Sequence, residues 1–95
     1  MSSTNDNFWY VYFLRCNDNS LYCGVTKNLQ RRLKQHNYTS RGSKYTRSRR
    51  PVKLVWSHKV KSRSDALKLE ANLKKKTKIQ KEKIIETNSV YFIDG

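Results

Sequence analysis

Residues 20–37, SLYCGVTKNLQRRLKQHN, concentrate side chains that could act on a phosphate group or on a water molecule. A tyrosine and a glycine precede two adjacent arginines and a histidine, and Arg32 and His36 lie four residues apart. Arginine binds phosphate oxygens through a fork of donors, and histidine exchanges protons near neutral pH. The residue types suggest chemistry on a phosphate. The same spacing by itself is also typical of a solvated basic face of a helix.

The chain is strongly and unevenly positive. Its 95 residues include 21 Lys/Arg and 7 Asp/Glu, a formal net charge of +14, and residues 27–83 hold 20 of the 21 basic residues. Such a surplus suits a polyanion, and nucleic acid is the expected partner. A highly soluble surface and a ribosomal-type basic protein are the two other interpretations of this composition.

The length predicts a single domain over 1–95, with a core at about 8–87 and tails at 1–7 and 89–95. No apolar run approaches the roughly 18 residues of a membrane span, and MSSTNDN at the start lacks a signal-peptide core. A cytoplasmic location is therefore expected. Cys16 and Cys23 form neither a C-x-x-C pair nor a zinc spacing, so no disulfide or metal role is expected of them.

The elements that must position the reactive groups follow from residue patterns. Residues 8–16, rich in aromatic and β-branched residues, and residues 21–26 are predicted as strands of a hairpin closed by NDNS. A helix capped by Asn28 is predicted to run to about Asn37. A loop over 38–51 should follow, and then a third strand over 52–60 in which Val52, Leu54 and Trp56 alternate with other residues.

Two helices complete the chain. One is predicted over 62–77, and Thr77 with Gln80 forms a capping box that starts a short helix with Ile79, Ile84 and Ile85 on its apolar side. The segment 89–95 could form a tail or a short edge strand. The order β-β-α-β-α-α predicts a small α+β domain, a three-stranded antiparallel sheet with flanking helices.

An acidic residue stands on the apolar stripe of the predicted helix 62–77. Glu70 shares this stripe with Ala66 and Leu73, and Leu69 lies beside it. Either the carboxylate has a function at the edge of the core, or it pairs with Lys74 one turn later. The pattern alone leaves both interpretations open.

The tripeptides YVY at 10–12 and YCG at 22–24 resemble the paired motifs of the GIY-YIG nuclease superfamily. The likeness extends through Arg32, His36 and Glu70 and covers roughly residues 8–80. The loop GSKYTRSRRP is similar to that of small, stand-alone members. Two positions depart from the family pattern: Tyr10 replaces the usual glycine, and Cys23 replaces a frequent isoleucine.

The resemblance implies roles for five catalytic residues. Glu70 would hold Mg²⁺ or Mn²⁺, and Arg32 would grip the scissile phosphate. Tyr12, helped by Tyr22, would orient the attacking water or relay its proton. Because a free phenol has a pKa near 10, Tyr12 would need nearby cations to act as a base. His36 would share in water activation or bind phosphate.

Two further sets of residues complete the predicted site. Gly24 would allow a close approach of the backbone or supply a φ angle that other residues avoid. The loop is expected to bind phosphates and a stacked base through five cations around one aromatic ring, the alternative being a solvated flexible loop. These loop residues are Arg41, Lys44, Tyr45, Arg47, Arg49 and Arg50.

The resemblance implies a metal-dependent endonuclease that hydrolyses phosphodiester bonds in DNA, at a structure or a loosely defined site, in repair or processing. The alternative is a nucleic-acid-binding module that keeps the fold but cuts weakly or not at all. Catalysis at one phosphate requires Tyr12 and Tyr22 on one face of the sheet. Because side chains alternate along a strand, this predicts an even index sum for facing residues, or a bulge near the turn. A loop over 18–20, which pairs Asn17 with Leu21, would satisfy it.

Overall fold

The computed structural model describes residues 8–88, and the predicted tails at 1–7 and 89–95 lie outside this range. The elements in chain order are β1 (Trp9–Arg15), β2 (Leu21–Thr26), α1 (Leu29–Tyr38), α2 (Lys44–Arg47), β3 (Lys53–Val60), α3 (Arg63–Lys74) and α4 (Lys78–Thr87). Within residues 8–88, no helix is both long and apolar enough to cross a membrane. The predicted α+β fold is confirmed, with one correction: the segment predicted as a loop contains the single-turn helix α2.

The sheet is antiparallel, with β1 in the centre and β2 and β3 as its edges. Four consecutive β1 residues, 11–14, are buried, which explains why this strand reads as a continuous apolar run rather than an alternating one. The central strand is covered on both faces. The three-stranded antiparallel sheet predicted from the sequence is therefore confirmed.

The hairpin has the even register that was predicted. Tyr12 faces Gly24 and Leu14 faces Tyr22, so every pair sums to 36. The turn differs from the predicted one: it spans 17–19, closed by the Cys16 N–H donating to the Ser20 carbonyl at 2.9 Å. Asn19 has a φ of 69°, the left-handed conformation that a three-residue hairpin loop requires. The predicted loop over 18–20 was therefore displaced by one residue from the observed turn.

The pairing of β1 with β3 is interrupted by a bulge. Phe13 faces Trp56 but Leu14 faces Leu54, which leaves Val55 as the extra residue. Val55 packs against the core, whereas Leu54 is 38% exposed. The predicted regular alternation of β3 is therefore wrong at Leu54, because the bulge shifts which residues face inward.

The helix starts follow from capping side chains. The Asn28 side chain accepts from the Arg31 N–H, and the Ser62 side chain caps α3. The predicted capping box of α4 is also present, between Thr77 and Gln80. One prediction for α4 is wrong: Ile79 is 83% exposed rather than on the apolar side.

Two separate hydrophobic clusters lie on the two faces of the sheet. The first receives its helical residues from α3 and α4, and its buried members are Val11, Phe13, Cys23, Trp56, Ala66, Leu73 and Ile84. The second lies under α1, with buried members Tyr12, Leu14, Cys16 and Val52 and with Tyr22, Leu29 and Leu33 packed against them. The two free cysteines therefore lie on opposite faces of the sheet, Cys23 in the first cluster and Cys16 in the second.

Candidate active site around Tyr12 and His36

Two tyrosines meet on the α1 face of the sheet. Tyr12 is only 2% exposed, and its ring centroid lies 6.4 Å from that of Tyr22. They are diagonal neighbours across the hairpin, because Tyr12 faces Gly24 and Tyr22 faces Leu14. The even register thus brings together the two phenols that the sequence predicts to share one site.

Gly24 leaves room for the phenol of Tyr12. A Cβ atom added at Gly24 would lie 2.5 Å from Tyr12 Oη, 2.7 Å from Cζ and 3.1 Å from a ring carbon of Tyr22. Its φ is outside the positive range. Of the two roles considered for this glycine, close approach is therefore the one observed, and the approaching group is the Tyr12 side chain. Tyr10 lies on the same face of β1, half-buried opposite Thr26.

Tyr12 Oη lies 2.9 Å from Nε2 of His36, in a buried hydrogen bond. His36 is fully buried near the end of α1, and its ring meets that of Tyr22 edge-on at 5.2 Å. Burial lowers the pKa of His36 to about 4, with the positive charges of Arg32 and Arg50 acting in the same direction. The imidazole is therefore neutral at neutral pH.

Burial also determines the protonation of Tyr12. Desolvation raises the pKa of the Tyr12 phenol above its usual value near 10, and Tyr22 adds to the effect. A hydrogen bond and the charge of Arg32 act in the opposite direction without cancelling it. Arg32 therefore does not lower the pKa of Tyr12 enough for it to act as a base in the free protein, and the phenol keeps its proton.

Arg32 joins this cluster to an open cleft. Its Nη1 donates to Gln35 Oε1 at 2.8 Å and to the Arg41 carbonyl at 2.9 Å, which fixes the guanidinium beside Tyr12. The cleft has a volume of about 320 Å³ and combines an aromatic residue with cations, its lining including Trp9, Thr26, Lys27, Arg31, Arg32 and Gln35. An anion entering the cleft would meet Arg32 next to the phenol.

Two hydroxyl residues that hold His36, Thr46 and Ser43, were not predicted from the sequence. Thr46 is fully buried, and its Oγ1 lies 2.9 Å from His36 Nδ1 and 2.9 Å from Ser43 Oγ. Ser43 caps α2 by accepting from the Thr46 N–H at 3.1 Å. A helix of four residues is too short to show a periodic pattern of apolar residues. The sequence signal for α2 was therefore Ser43, a residue type that favours the N-cap of a helix.

The six predicted loop residues divide into two groups, of which the first is engaged within the protein. Arg49 binds Asp18 at 3.0 Å and lies 3.9 Å from the ring of Tyr45, which in turn stacks on Tyr22 at 6.0 Å. Arg50 donates to three backbone carbonyls, those of Gln35, His36 and Thr39. These contacts attach the loop to the hairpin turn and to α1.

The second group consists of the remaining cations of the loop, Arg41, Lys44 and Arg47, which are exposed. The backbone carbonyl of Arg41 accepts from Arg32, so the exposed start of the loop is joined to the cluster through the main chain. The structure thus places three of the five loop cations where an approaching polyanion can reach them.

Glu70 lies on the other face of the sheet from Tyr12. Helix α3 packs there through Ala66 and Leu73, and the carboxylate forms an ion pair with Lys74 at 3.3 Å. Burial is the main cause that raises the pKa of the Cys23 thiol, and the negative charge of Glu70 adds to it. The carboxylate therefore lies near the edge strand β2. The pairing with Lys74 that the sequence left open is thus observed.

The five predicted catalytic residues are therefore not all on one side of the sheet. Four of them, Tyr12, Tyr22, Arg32 and His36, form one cluster on the α1 face. Glu70 approaches β2 from the opposite face.

Comparison with known protein families gives a match to the GIY-YIG catalytic domain over residues 8–83. A UPF0213 protein of Syntrophus aciditrophicus is 49% identical over 79 residues, covering 83% of this chain and 91% of the relative. A UPF0213 protein of Bacillus velezensis is 48% identical over 83 residues, covering 87% and 81%. These names state no substrate.

Two solution NMR structures are also similar. One is a UPF0213 protein from Bacillus halodurans, with a TM-score of 0.56, 33% identity and 92% coverage of both chains. The other is a protein from E. faecalis, with a TM-score of 0.61, 44% identity and 88% coverage of both chains.

Proposed function

Because the chain belongs to the GIY-YIG catalytic-domain family, a nuclease family, we propose that it is a metal-dependent endonuclease that hydrolyses phosphodiester bonds in DNA. The observation that carries the proposal is the buried hydrogen bond between Tyr12 and neutral His36 beside Arg32. Binding of a polyanion does not use a buried phenol and a neutral imidazole. Proton transfer uses a donor and an acceptor within hydrogen-bond reach, which this pair provides. We propose a cytoplasmic location for this activity.

The pair provides a path for the proton of the attacking water. As the water oxygen bonds to phosphorus, its proton passes to Tyr12 Oη while the phenol proton passes to His36 Nε2. The phosphorus–oxygen bond to the leaving group breaks, and that oxygen takes a proton from solvent. His36 ends as an imidazolium and later returns its proton through Tyr12 to solvent, which replaces the proton taken by the leaving oxygen. The phenol is a relay, so its raised pKa does not prevent the step.

Arg32 is suited to hold the phosphate during this step. The guanidinium is already oriented by Gln35 and by the Arg41 carbonyl, so binding costs little side-chain entropy. Negative charge on the phosphate also offsets the repulsion that Arg32 exerts on a protonated His36. Arg32 therefore disfavours the protonation of His36 less when the phosphate is bound than it does in the free protein.

Glu70 is the residue we assign to a divalent cation. Within residues 8–88, no group of three or more His, Cys, Asp and Glu side chains converges on a metal position. A single carboxylate fits Mg²⁺ or Mn²⁺ held largely by water and substrate phosphate, and does not fit an ion enclosed by protein. When bound, the ion would supply positive charge to the phosphate oxygens.

The position of Glu70 implies a route for the substrate. Because β2 is an edge strand, a phosphodiester that crosses this edge can meet Tyr12 and Arg32 from one side and Glu70 from the other. Exposed cations of the cleft and of the loop, among them Lys27, Arg31, Lys44 and Arg47, would neutralise the flanking phosphates.

The second candidate is a nucleic-acid-binding module with little or no cutting activity. It is favoured by the ion pair of Glu70 with Lys74, which occupies the carboxylate in the free protein. The two candidates differ in what they require: binding needs the exposed cations, whereas hydrolysis also needs Tyr12, His36 and Glu70.

The test is incubation with single-stranded, duplex and branched DNA, and with matched RNA, in Mg²⁺ and in EDTA. We expect cleavage of at least one DNA in Mg²⁺ and none in EDTA. Glu70→Gln should abolish cleavage and leave metal-free affinity near that of the wild type. Binding without cleavage of any substrate would support the second candidate, and cleavage by Glu70→Gln at the wild-type rate would remove the metal assignment.

A further inference from the structure

Thr46 is a fully buried polar residue that the family motifs leave without a role. It lies on α2, the one-turn helix that packs beside α1, and its hydroxyl contacts His36 at the ring nitrogen that does not face Tyr12. The four side chains Tyr12, His36, Thr46 and Ser43 form a continuous hydrogen-bonded chain, with each of the three links at 2.9 Å.

The acceptors around Thr46 indicate the directions of these bonds. Thr46 Oγ1 lies 3.1 Å from the Ser43 carbonyl, which accepts from the Arg47 N–H at 3.0 Å and has a second lone pair for the threonine hydrogen. The lone pairs of Thr46 Oγ1 are then available to accept from His36 Nδ1–H. A neutral imidazole protonated at Nδ1 has its free lone pair on Nε2, facing Tyr12.

We propose that Thr46 is a positioning residue that holds His36 in the Nδ1–H tautomer, with Nε2 ready to accept the proton of Tyr12. The catalytic part of this inference rests on the proposed nuclease function, whereas the tautomer does not. The logic is that of a base oriented by a third group, here a neutral hydroxyl rather than a carboxylate. A neutral partner also fits a ring that must return its proton after each turnover.

One contact opposes this assignment. The Ser43 N–H lies 3.5 Å from His36 Nδ1 and would favour an unprotonated nitrogen there. The bond to Thr46 is shorter, at 2.9 Å, and hydrogen bonds are weak beyond about 3.2 Å. The charged and titratable groups that face the ring are Arg32 on its own helix, Arg50 after α2, and Tyr12 and Tyr22 on the sheet. Both arginines disfavour an imidazolium.

The first experiment determines the tautomer in the free protein by ¹⁵N NMR of the imidazole nitrogens. The chain has two histidines, so in the His58→Gln variant all imidazole signals come from His36. We expect Nδ1 of the protein with Thr46 intact to be protonated and Nε2 to be unprotonated at pH 7. Thr46→Val keeps the shape and removes the hydroxyl, and should shift the tautomer toward Nε2–H, while Thr46→Ser should retain Nδ1–H. An unprotonated Nδ1 in the protein with Thr46 intact would overturn the proposal.

The second experiment measures cleavage under single-turnover conditions. We expect Thr46→Val to lower the rate by about 10- to 100-fold with the half-saturating protein concentration little changed, and Thr46→Ser to restore most of the rate. Thr87→Val is the matched control, since it removes a hydroxyl bonded to a helix carbonyl on α4. If neither the wild type nor any variant cleaves DNA, the proposed function is wrong. The NMR experiment then still decides whether Thr46 sets the tautomer of His36. If Thr46→Val alters the tautomer of His36 but cleaves DNA at the wild-type rate, the proposed effect of Thr46 on catalysis is wrong, and its effect on the tautomer stands.

Discussion

Gly24 shows how one missing side chain creates the site. The space that a Cβ would occupy at this position is filled by the Tyr12 phenol, which reaches His36. A glycine inside a strand weakens it, so its presence here indicates close approach rather than a local preference. The position of the reactive phenol is therefore determined by its cross-strand neighbour.

We expect Gly24→Ala to displace the Tyr12 phenol, because the added Cβ would lie 2.5 Å from Oη. Overpacking of this kind costs about 1–3 kcal/mol of unfolding free energy. Cleavage should fall with it, since the bond to His36 is lost. Thermal or chemical denaturation and a cleavage assay measure the two effects.

A double-mutant cycle isolates the cause. Tyr12→Phe removes Oη, the atom nearest to the added Cβ, so it should recover part of the stability that Gly24→Ala loses. Equal losses from Gly24→Ala in the wild-type protein and in the Tyr12→Phe variant would show that the glycine acts through the strand and not through the phenol.

The low pKa of His36 predicts an unusual pH dependence. Only the neutral imidazole can accept the Tyr12 proton, and its pKa is lowered from 6.5 to about 4. The acid limb of kcat/KM, which reports the free enzyme, should therefore lie near pH 4 and be absent near 6.5. Activity is retained above the lowered pKa and lost as the pH falls through it. Circular dichroism at each pH verifies folding, and an inflection at 6.5 would contradict the buried, neutral assignment.

At the scale of elements, the loop between α1 and β3 has an inner and an outer set of cations. Arg49 and Arg50 hold the loop against the hairpin turn and α1, whereas Lys44 and Arg47 are exposed. The sequence alone assigned all of them to nucleic acid, because charge can be counted in a sequence but the partner of each charge cannot.

We expect the double variant Lys44→Ala/Arg47→Ala to bind duplex DNA with a weaker salt dependence. The slope of log affinity against log salt should flatten by about two units, since each phosphate contact contributes roughly 0.9. Arg49→Ala/Arg50→Ala is the matched control with the same change in charge. It should lower the melting temperature and flatten the slope less. The reverse result would place the inner pair in the interface.

Helix α4 is attached to the sheet by an ion pair between Arg15 and Glu82. Arg15 Nη2 donates to Glu82 Oε1 at 2.7 Å, and Lys78 reaches the same carboxylate at 3.0 Å. The hydrogen bond from Arg15 is the main reason that the pKa of Glu82 falls from 4.5 to about 2. The contact joins the end of β1 to an element that contributes Ile84 to the core.

Glu82→Gln should therefore reduce the unfolding free energy at pH 7 by about 0.5–1 kcal/mol, the range of partly exposed pairs. The unfolded carboxyl titrates near 4.5 and the folded one near 2, so this stabilisation is present above pH 4.5 and lost as the pH falls toward 2. Denaturant titrations at several pH values measure it. Glu86→Gln on the same helix is the control, and equal effects of the two variants at pH 7 would exclude a specific contribution of the Arg15 pair.

At the scale of the whole molecule, the sheet separates the face that carries Tyr12 and His36 from the face on which α3 and Glu70 lie. Most of the fold was predictable from the sequence. Capping residues and strand patterns predicted the helices and strands, and the requirement for Tyr12 and Tyr22 on one face predicted an even index sum for facing residues of the hairpin. The exact turn was not predictable, because loops over 17–19 and 18–20 satisfy the same parity. The structure distinguishes them by the index sum of 36, the Cys16–Ser20 backbone hydrogen bond and the left-handed Asn19.

The remaining differences have physical causes. Thr46 stayed hidden because a single helical turn has no periodicity and burial of its hydroxyl depends on α1 packing beside it. The face of the sheet on which Glu70 lies was not predicted from the sequence; Ala66 and Leu73 direct α3 to the face of Phe13. Which face a helix covers depends on tertiary packing, and residue spacing within the helix does not reveal it.

In the proposed mechanism the Tyr12 hydroxyl transfers the proton of the attacking water to His36. The most direct measurement compares Tyr12→Phe with the wild type in single-turnover cleavage and in binding of the same DNA in Mg²⁺. The variant keeps the ring beside Gly24 and removes only Oη, so affinity should stay within about twofold while cleavage falls by about 10²- to 10⁴-fold. Cleavage by Tyr12→Phe at the wild-type rate would contradict the account.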